Sequence, residues 1–541
     1  MYLALLETSG NQAYIFAGNR LREAVGASYL VYAAGAEWPL EAAAAINTNH
    51  TGCLTQGKDR WAACREAWAC PIEKDPSIRL EVLVAASGKA LALARRAEDA
   101  EEWIARVTGQ ALRQAAGLEV TGVVSPCFDW DRQPLWEIER QLFQRLPAIR
   151  GARPGPLSRH QRLPVVAECE SLGGPAAYRV LEKHEDGEPR VRLLSPEAYA
   201  KDKVRALGQQ RLRQLNPRLS DLDGLESRMK DRHQVQWVAL VHADGNRFGA
   251  LFANLAQTLE LKDPSRNRDY ANALREFSRA LDDAAVEAFQ SMLREGRDTG
   301  EYLLPVIVAG DDVTFYLPAH GALQQVERFL QAYRDYTGSH PEFARWSKRP
   351  HLTMSAGVAV VKPHFPFYLA YGLAEALAAS AKTGAGADDP DLPSCLDFHV
   401  LHDPGGRDLE AVRTRLEVHS LGEPARLWGG PYIVDGPGEA ARFRWDRLKA
   451  MVEHLNSVDD NGDYRFPRRQ AHWLREGLFQ GRKEADRRLG LLAGRYDIGP
   501  LAVSKLPDGS PSLFGSVADG NGPVRTPFRD ALEASAIWGE G

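Results

Sequence analysis

Residues 306–318 read VIVAGDDVTFYLP, two apolar runs around the adjacent carboxylates Asp311 and Asp312. Apolar runs of this length read as buried strands, and the break between them as the turn of a hairpin. Two like charges at such a turn cost stability unless something offsets them. A divalent metal ion holding a nucleotide triphosphate would do so.

The neighbouring segments extend the pattern. WVALVHADG (237–245) reads as a strand ending in Asp244. NRFGALFANLAQTLEL (246–261) and GALQQVERFLQAYRDYT (321–337) have helical spacing, and HLTMSAGVAVV (351–361) is a further strand. The order is β-α-β-β-α-β. Residues 1–150 repeat it with LALLE, RLREAVGASYLVYAAG, LEVLVAASGKALALA, AEDAEEWIARVTGQALRQAA and LEVTGVVSP. The expected class is α+β, with two ferredoxin-like domains built on antiparallel sheets, at 1–150 and 233–405, an arrangement that polymerase and nucleotide-cyclase palm domains share with many unrelated proteins. A polar inter-palm linker and helical region spans 151–232, opening with GARPGPLSRHQRLP. A mixed, largely helical C-terminal domain spans 406–541.

Composition narrows the function. A length of 541 residues suits several domains. The net charge of −5 gives no global basic field for nucleic acid. The six cysteines (Cys53, Cys64, Cys70, Cys127, Cys169 and Cys395) form no C-x-x-C pair, which argues against a zinc ribbon or a redox dithiol and suits a reducing cytoplasm. MYLALLETSGNQAYIF reads as a strand rather than a signal peptide, and no membrane span is expected.

The two halves align with each other. ALLETSGNQAYIFAGN, from Ala4, matches ALVHADGNRFGALFAN, from Ala239, and VLVAASGK, from Val82, matches VIVAGDDV, from Val306. In this alignment Ser9 stands opposite Asp244, and Ser87 and Gly88 stand opposite Asp311 and Asp312. Both acidic points belong to the second copy, so the first is expected to be a degenerate palm. Acids at a strand end and a hairpin turn would lie side by side on adjacent strands. Mg²⁺ or Mn²⁺ would relieve their repulsion and be shared with phosphates. Two such ions could activate a 3′-hydroxyl and stabilise leaving pyrophosphate. Asp244, Asp311 and Asp312 are thus the candidate catalytic and metal-binding residues. The backbone carbonyls of Gly245 or Asn246 could add ligands, and the helix starting near Asn246 aims free N–H groups at phosphate.

With ADGN (243–246) and AGDD (309–312) in hand, the second copy resembles the second palm of the large polymerase-like subunit of type III CRISPR effector complexes. TMSAGVAVVKPHFPFYLAYGLAEALAASAK (353–382) and LDFHV (396–400) are also similar to that family, and NRLREAVGASYL (19–30) resembles its first palm. The resemblance implies synthesis of cyclic oligoadenylates from ATP as an antiviral signal. It implies that Asp244, Asp311 and Asp312 bind metal, that Gly310 lies in the nucleotide-binding turn, that Lys382 meets triphosphate oxygens, and that Gly26 and Ser28 touch nucleotide from the first palm. Asn246 replaces the family's second acid, and Ala309 replaces a glycine. Cys169 alone remains where the family often has a zinc knuckle, so no zinc is expected. The family's histidine–aspartate nuclease finds no counterpart, so a stand-alone homologue without DNA cleavage is expected.

Other features read more plainly. FPRRQAHWLREGLFQGRKEADRRLG (466–490) is locally basic, but Glu476, Glu484 and Asp486 dilute its charge; it could contact RNA or serve as a solvated face. DDNGDYRF (459–466) reads as a turn, His242 as a packed histidine, and Trp61, Trp68 and Trp103 as core. The leading reading is a metal-dependent nucleotidyltransferase giving a cyclic or linear oligonucleotide. The rivals are a conditional subunit of an RNA-guided effector complex that binds RNA and partner proteins, a non-catalytic nucleotide sensor, and a diguanylate-type cyclase. The base, the product's ring size and the oligomeric state are left open.

Overall fold

The computed structural model describes all residues except 48–70, 87, 153–163, 184–188, 223–235, 297–299, 386–391, 403–407, 421–422, 436–443, 517–522 and 540–541. Trp61, Trp68 and Ser87 therefore lie outside the described residues.

The first palm has four strands, β1 (Tyr2–Ser9), β2 (Leu80–Ala86), β3 (Lys89–Ala94) and β4 (Glu119–Val124), in the order β2-β3-β1-β4. The pairings are antiparallel, which gives the ferredoxin-like arrangement. Alternation along the strands assigns each face its partner. Ala4, Leu6, Ala90 and Ala92 pack with Trp103 and Val107 of helix Ala97–Gln114. Leu3, Leu5, Leu91 and Leu93 join the core that includes Leu135 and Leu142 of helix Leu135–Gly151.

A hairpin of β5 (Tyr178–Lys183) and β6 (Pro189–Leu194) follows, then helices Pro196–Lys203 and Arg205–Leu215. The second palm contributes β7 (Val238–Gly245), β8 (Leu304–Ala309), β9 (Asp312–Pro318), β10 (Met354–Val361) and β11 (Cys395–Val400). Its sheet order is Tyr432–Ile433, β11, β10, β7, β9, β8. The ferredoxin-like core is antiparallel, and β11 extends it by pairing parallel to β10. Helix Phe367–Ala385 makes that crossover and covers the second face of the sheet. The sequence of β10, MSAGVAVV, agrees: every residue is buried, as a strand packed on both faces requires.

The palms are held together by charge as well as by apolar packing. Glu81 on β2 is 2% exposed and accepts from Arg268 and Arg275 of helix Asn267–Glu295. Arg268 also pairs with Glu73. A carboxylate this deep needs such complete pairing. The C-terminal region carries helices Trp445–Asn456, Arg468–Phe479, Arg482–Leu492 and Phe528–Ser535 with short strands.

Strand register corrects the internal alignment. Asp244 pairs with Asp312, the first residue of β9, and the left-handed residue Arg247 follows three positions later. In the first palm the residue paired with the first residue of β3 is Glu7, opposite Lys89, and the left-handed Gly10 follows three positions later. Glu7, not Ser9, is therefore the counterpart of Asp244, and Lys89 that of Asp312. On β1 the slip is of two residues, which keeps every side chain on its own face, so its apolar frame matched in either register; at the hairpin the slip is of one. The first palm replaces a carboxylate pair with an ion pair. Lys89 Nζ lies 3.6 Å from Glu7 Oε1, and Arg150 binds the other Glu7 oxygen.

Candidate functional site

The hairpin of β8 and β9 closes in two residues, Gly310 and Asp311, because Ala309 pairs directly with Asp312. Gly310 has φ +55, and Asp311 is not in the left-handed region. A positive φ at the first turn residue alone is the type II′ pattern, where glycine is favoured. The Asp311 carbonyl accepts from Gly245 N–H at 2.9 Å, which fixes the turn against the end of β7.

This construction sets Asp244 beside Asp312 on neighbouring strands, with Asp311 at the turn. Asp312 Oδ2 accepts from Gln12 Nε2 of the first palm at 3.4 Å. Asp312 Oδ1 is buried and accepts no hydrogen bond from the described residues, although His242 Nδ1 lies 3.4 Å away. His242 is 3% exposed, its Nδ1 stands 3.1 Å from Thr314 Oγ1, and burial lowers its pKa. It packs beneath the site as a neutral ring, as expected for a packed histidine. Burial, followed by the charges of Asp244 and Asp311, pushes the Asp312 carboxyl up to about 7. Burial and then Asp244 raise Asp311 as well.

Helix Phe367–Ala385 presents Tyr371, Glu375 and Lys382 at helical spacing. Lys382 Nζ lies 2.5 Å from Asp244 Oδ2. Tyr371 is edge-on to His242 and stacked on Phe16 of the first palm, and its buried hydroxyl has no partner among the described residues. Helix Phe248–Thr258 begins directly after the acid-bearing strand end, and its N-cap, Arg247, makes no side-chain cap. Among the described residues the Phe248 and Gly249 N–H groups have no partner and can meet an anion, while that of Ala250 bonds the Arg247 carbonyl.

A cavity of about 530 Å³ lies between the palms, walled by Asn11, Gln12, Ser28, Asp244, Asp311 and Asp312 among others. Arg279, exposed on helix Asn267–Glu295, lines it without an ion pair among the described residues. The cavity thus joins both palms, as two facing domains would require.

The other expected residues sort clearly. Ser28 reaches the cavity wall, but its hydroxyl donates to the Val306 carbonyl and so ties the palms together. Gly26 is not brought to the cavity; a Cβ there would come within 1.9 Å of the Lys201 carbonyl, so it serves close helix packing. The Asn246 side chain is 4% exposed and turned away from the acids. It donates to Thr353 Oγ1 and the Pro393 carbonyl and accepts from Ser355 Oγ. Trp103 is core, with no exposure. The basic segment divides into two helices, in which Glu484 binds Arg487 and Arg488, and Asp486 faces Arg482. Sequence reading missed Asn11, Gln12 and Tyr371. The run GNQ after β1 was the available signal for the first two.

No group of three or more His, Cys, Asp or Glu among the described residues is arranged to hold a metal ion. The donor set still fits a hard divalent cation. It offers a cross-strand carboxylate pair with one unsatisfied buried oxygen, and Mg²⁺ takes only one or two carboxylates, filling its shell with phosphate and water. No helix among the described residues is long and apolar enough to cross a membrane.

Residues 237–389 match the family described as Cas10/Cmr2, second palm domain. No curated protein matches the chain. Among solved structures, a chain of the Csm1–Csm4 cassette in complex with AMPPNP is 12% identical, with a TM-score of 0.50, over 99% of this chain and 69% of that one. A chain of the same cassette in complex with pppApA is 12% identical, with a TM-score of 0.50, over 99% and 68%. At this identity the likeness shows the two-palm fold.

Proposed function

We propose that this chain, Cas10-like in its second palm, is a metal-dependent nucleotidyltransferase. It joins nucleoside triphosphates, ATP first among them, into a short cyclic or linear oligonucleotide that serves as an antiviral signal. The observation that carries this reading is the cross-strand Asp244–Asp312 pair lining a cavity walled by both palms, with one Asp312 oxygen left unsatisfied on its buried, His242 side. The likeness to chains whose structures hold AMPPNP and pppApA supports adenine nucleotides as substrates.

Asp244 and Asp312 would hold Mg²⁺ or Mn²⁺, which when bound neutralises phosphate charge and activates a 3′-hydroxyl for attack on an α-phosphate. Lys382, already beside Asp244, exchanges that contact for triphosphate oxygens. The uncapped start of helix Phe248–Thr258 donates N–H groups to the same anion. Gln12 and Asn11 of the first palm face the acids, so an acceptor nucleotide held there meets the donor in a fixed orientation. Positioning of this kind supplies much of the rate of phosphoryl transfer. The first palm, with Glu7 and Lys89 neutralising each other, has no comparable need for a cation.

A second reading, in which synthesis waits on partner proteins, is favoured by the likeness to chains from a two-protein cassette. RNA contact through the C-terminal arginines is the weaker part of it, since several are neutralised internally. The test is pyrophosphate release from each nucleoside triphosphate with Mg²⁺ or Mn²⁺, for the native chain and Asp244→Ala. Release that the variant loses supports the synthase. ATP binding without release supports the partner-dependent reading. Neither binding nor release overturns both.

A further inference from the structure

A second cavity, of about 430 Å³, opens on the other side of the acidic hairpin. Gly310 and Asp311 form part of its wall, and it shares Asp311 and Ser278 with the cleft between the palms. A molecule whose phosphates sit at the hairpin can therefore place its other end here. The size lies in the range of small-molecule sites, about 300–1,000 Å³. The rings of Phe143 and Phe252 line it together with Leu274 and Leu281. Gly249, in the first turn of helix Phe248–Thr258, lines it beside open space: a Cβ there would meet nothing within 4 Å.

Besides Asp311 at the hairpin, these walls carry one further carboxyl group, that of Glu139. Tyr270, 4% exposed, donates its hydroxyl to Glu139 Oε2. Glu139 Oε1 takes no hydrogen bond among the described residues. Glu139 comes from helix Leu135–Gly151, after the first palm's last strand, and Tyr270 from the second palm's helix Asn267–Glu295. Burial holds the Glu139 carboxyl up at about 7, against the Tyr270 hydrogen bond and the Lys89 charge. Protonated or ionised, it keeps an acceptor oxygen.

Resting on the nucleotide reading above, we propose that this cavity receives the base of the nucleotide bound at the hairpin, and that Glu139 selects a base with an amino group on its pairing edge, adenine first. The aromatic walls suit the faces of any base. The carboxyl oxygen suits an amino N–H and leaves a base without one unpaired. Tyr270 is the positioning residue that fixes the carboxyl.

The test is equilibrium binding, with Mg²⁺ present, of ATP and of purine riboside triphosphate, which is ATP without its amino group. Three proteins are compared: the native chain, Glu139→Gln and Ala253→Leu. Glu139→Gln keeps an oxygen for Tyr270 but can turn an amide N–H toward the base. Ala253 lines the cavity from an exposed helical position, so leucine there fills the space while keeping a good helix former. The native chain is expected to prefer ATP by about tenfold or more, the effect of one lost buried hydrogen bond. Glu139→Gln is expected to erase that preference without lowering the melting temperature. Ala253→Leu is expected to weaken both ligands. Binding with no preference, or a preference that survives Glu139→Gln, overturns the assignment of Glu139. Binding unaffected by Ala253→Leu overturns the base site. Absence of binding by the native chain overturns the nucleotide reading itself.

Discussion

Replacing Asp312 with asparagine should stabilise the chain while removing its activity. The Asp312 carboxyl stands at about 7 rather than 3.8, through burial first and the charges of Asp244 and Asp311 next. At 1.36 kcal/mol per pKa unit, this is about 4 kcal/mol of destabilisation once the group is ionised in both states. The side chain is 31% exposed, and solvent screening reduces the expectation to about 2 kcal/mol. The folded value lies above the unfolded one, so the folded chain holds its proton longer. Stability therefore falls as pH rises from about 4 to about 7, with the loss absent below this window and complete above it. Asparagine has the same shape and cannot ionise. In thermal melts with chelator at pH 8, Asp312→Asn should melt about 4–8 °C higher than the native chain, if the second palm unfolds as a unit. At about pH 4 the two should nearly coincide. Mg²⁺ at pH 8 should narrow the gap by raising the native chain alone. A variant that melts no higher than the native chain at pH 8 would refute the claim that these acids repel one another in the folded state.

Lys382→Met should change stability by less than about 1 kcal/mol, because its pair with Asp244 is partly exposed. In steady-state pyrophosphate assays it should raise KM for the triphosphate about tenfold, as loss of a charged hydrogen bond does. Asn246→Asp restores the acid that the resemblance expects, yet turns an oxygen toward the Pro393 carbonyl. Denaturation should show a loss of about 3 kcal/mol and no gain in rate. Gly310→Ala forces a side chain into a left-handed turn and should cost about 1–2 kcal/mol by melting. It should also lower pyrophosphate release by displacing Asp311.

Much of this architecture is legible in the chain because local signals and burial agree. VIVAGDDVTFYLP folds as the hairpin its two apolar runs and glycine indicate. HLTMSAGVAVV was legible as a strand, whereas its covering on both faces and its parallel partner β11 need the intervening helix to be recognised. The repeat was legible and its register was not, since on β1 a two-residue slip leaves every apolar side chain on the same face. Ser9 thus stood in for Glu7, and the ion pair between Glu7 and Lys89 stayed hidden. Gly26 and Ser28 looked like ligands, but small residues in a helix serve close packing just as well, and here they pack against Lys201 and Val306. Gln12 and Glu139 could not have been assigned. The contact of Gln12 with Asp312 and that of Glu139 with Tyr270 join distant parts of the chain that no spacing rule connects.

The most direct test is to incubate the purified chain with labelled ATP and Mg²⁺ or Mn²⁺ and to resolve the products by mass spectrometry, beside the Asp311→Ala/Asp312→Ala variant. An oligoadenylate made by the native chain and absent from the variant is the predicted result. Oligoadenylate formed equally by both would contradict the account and leave AGDD as a structural turn.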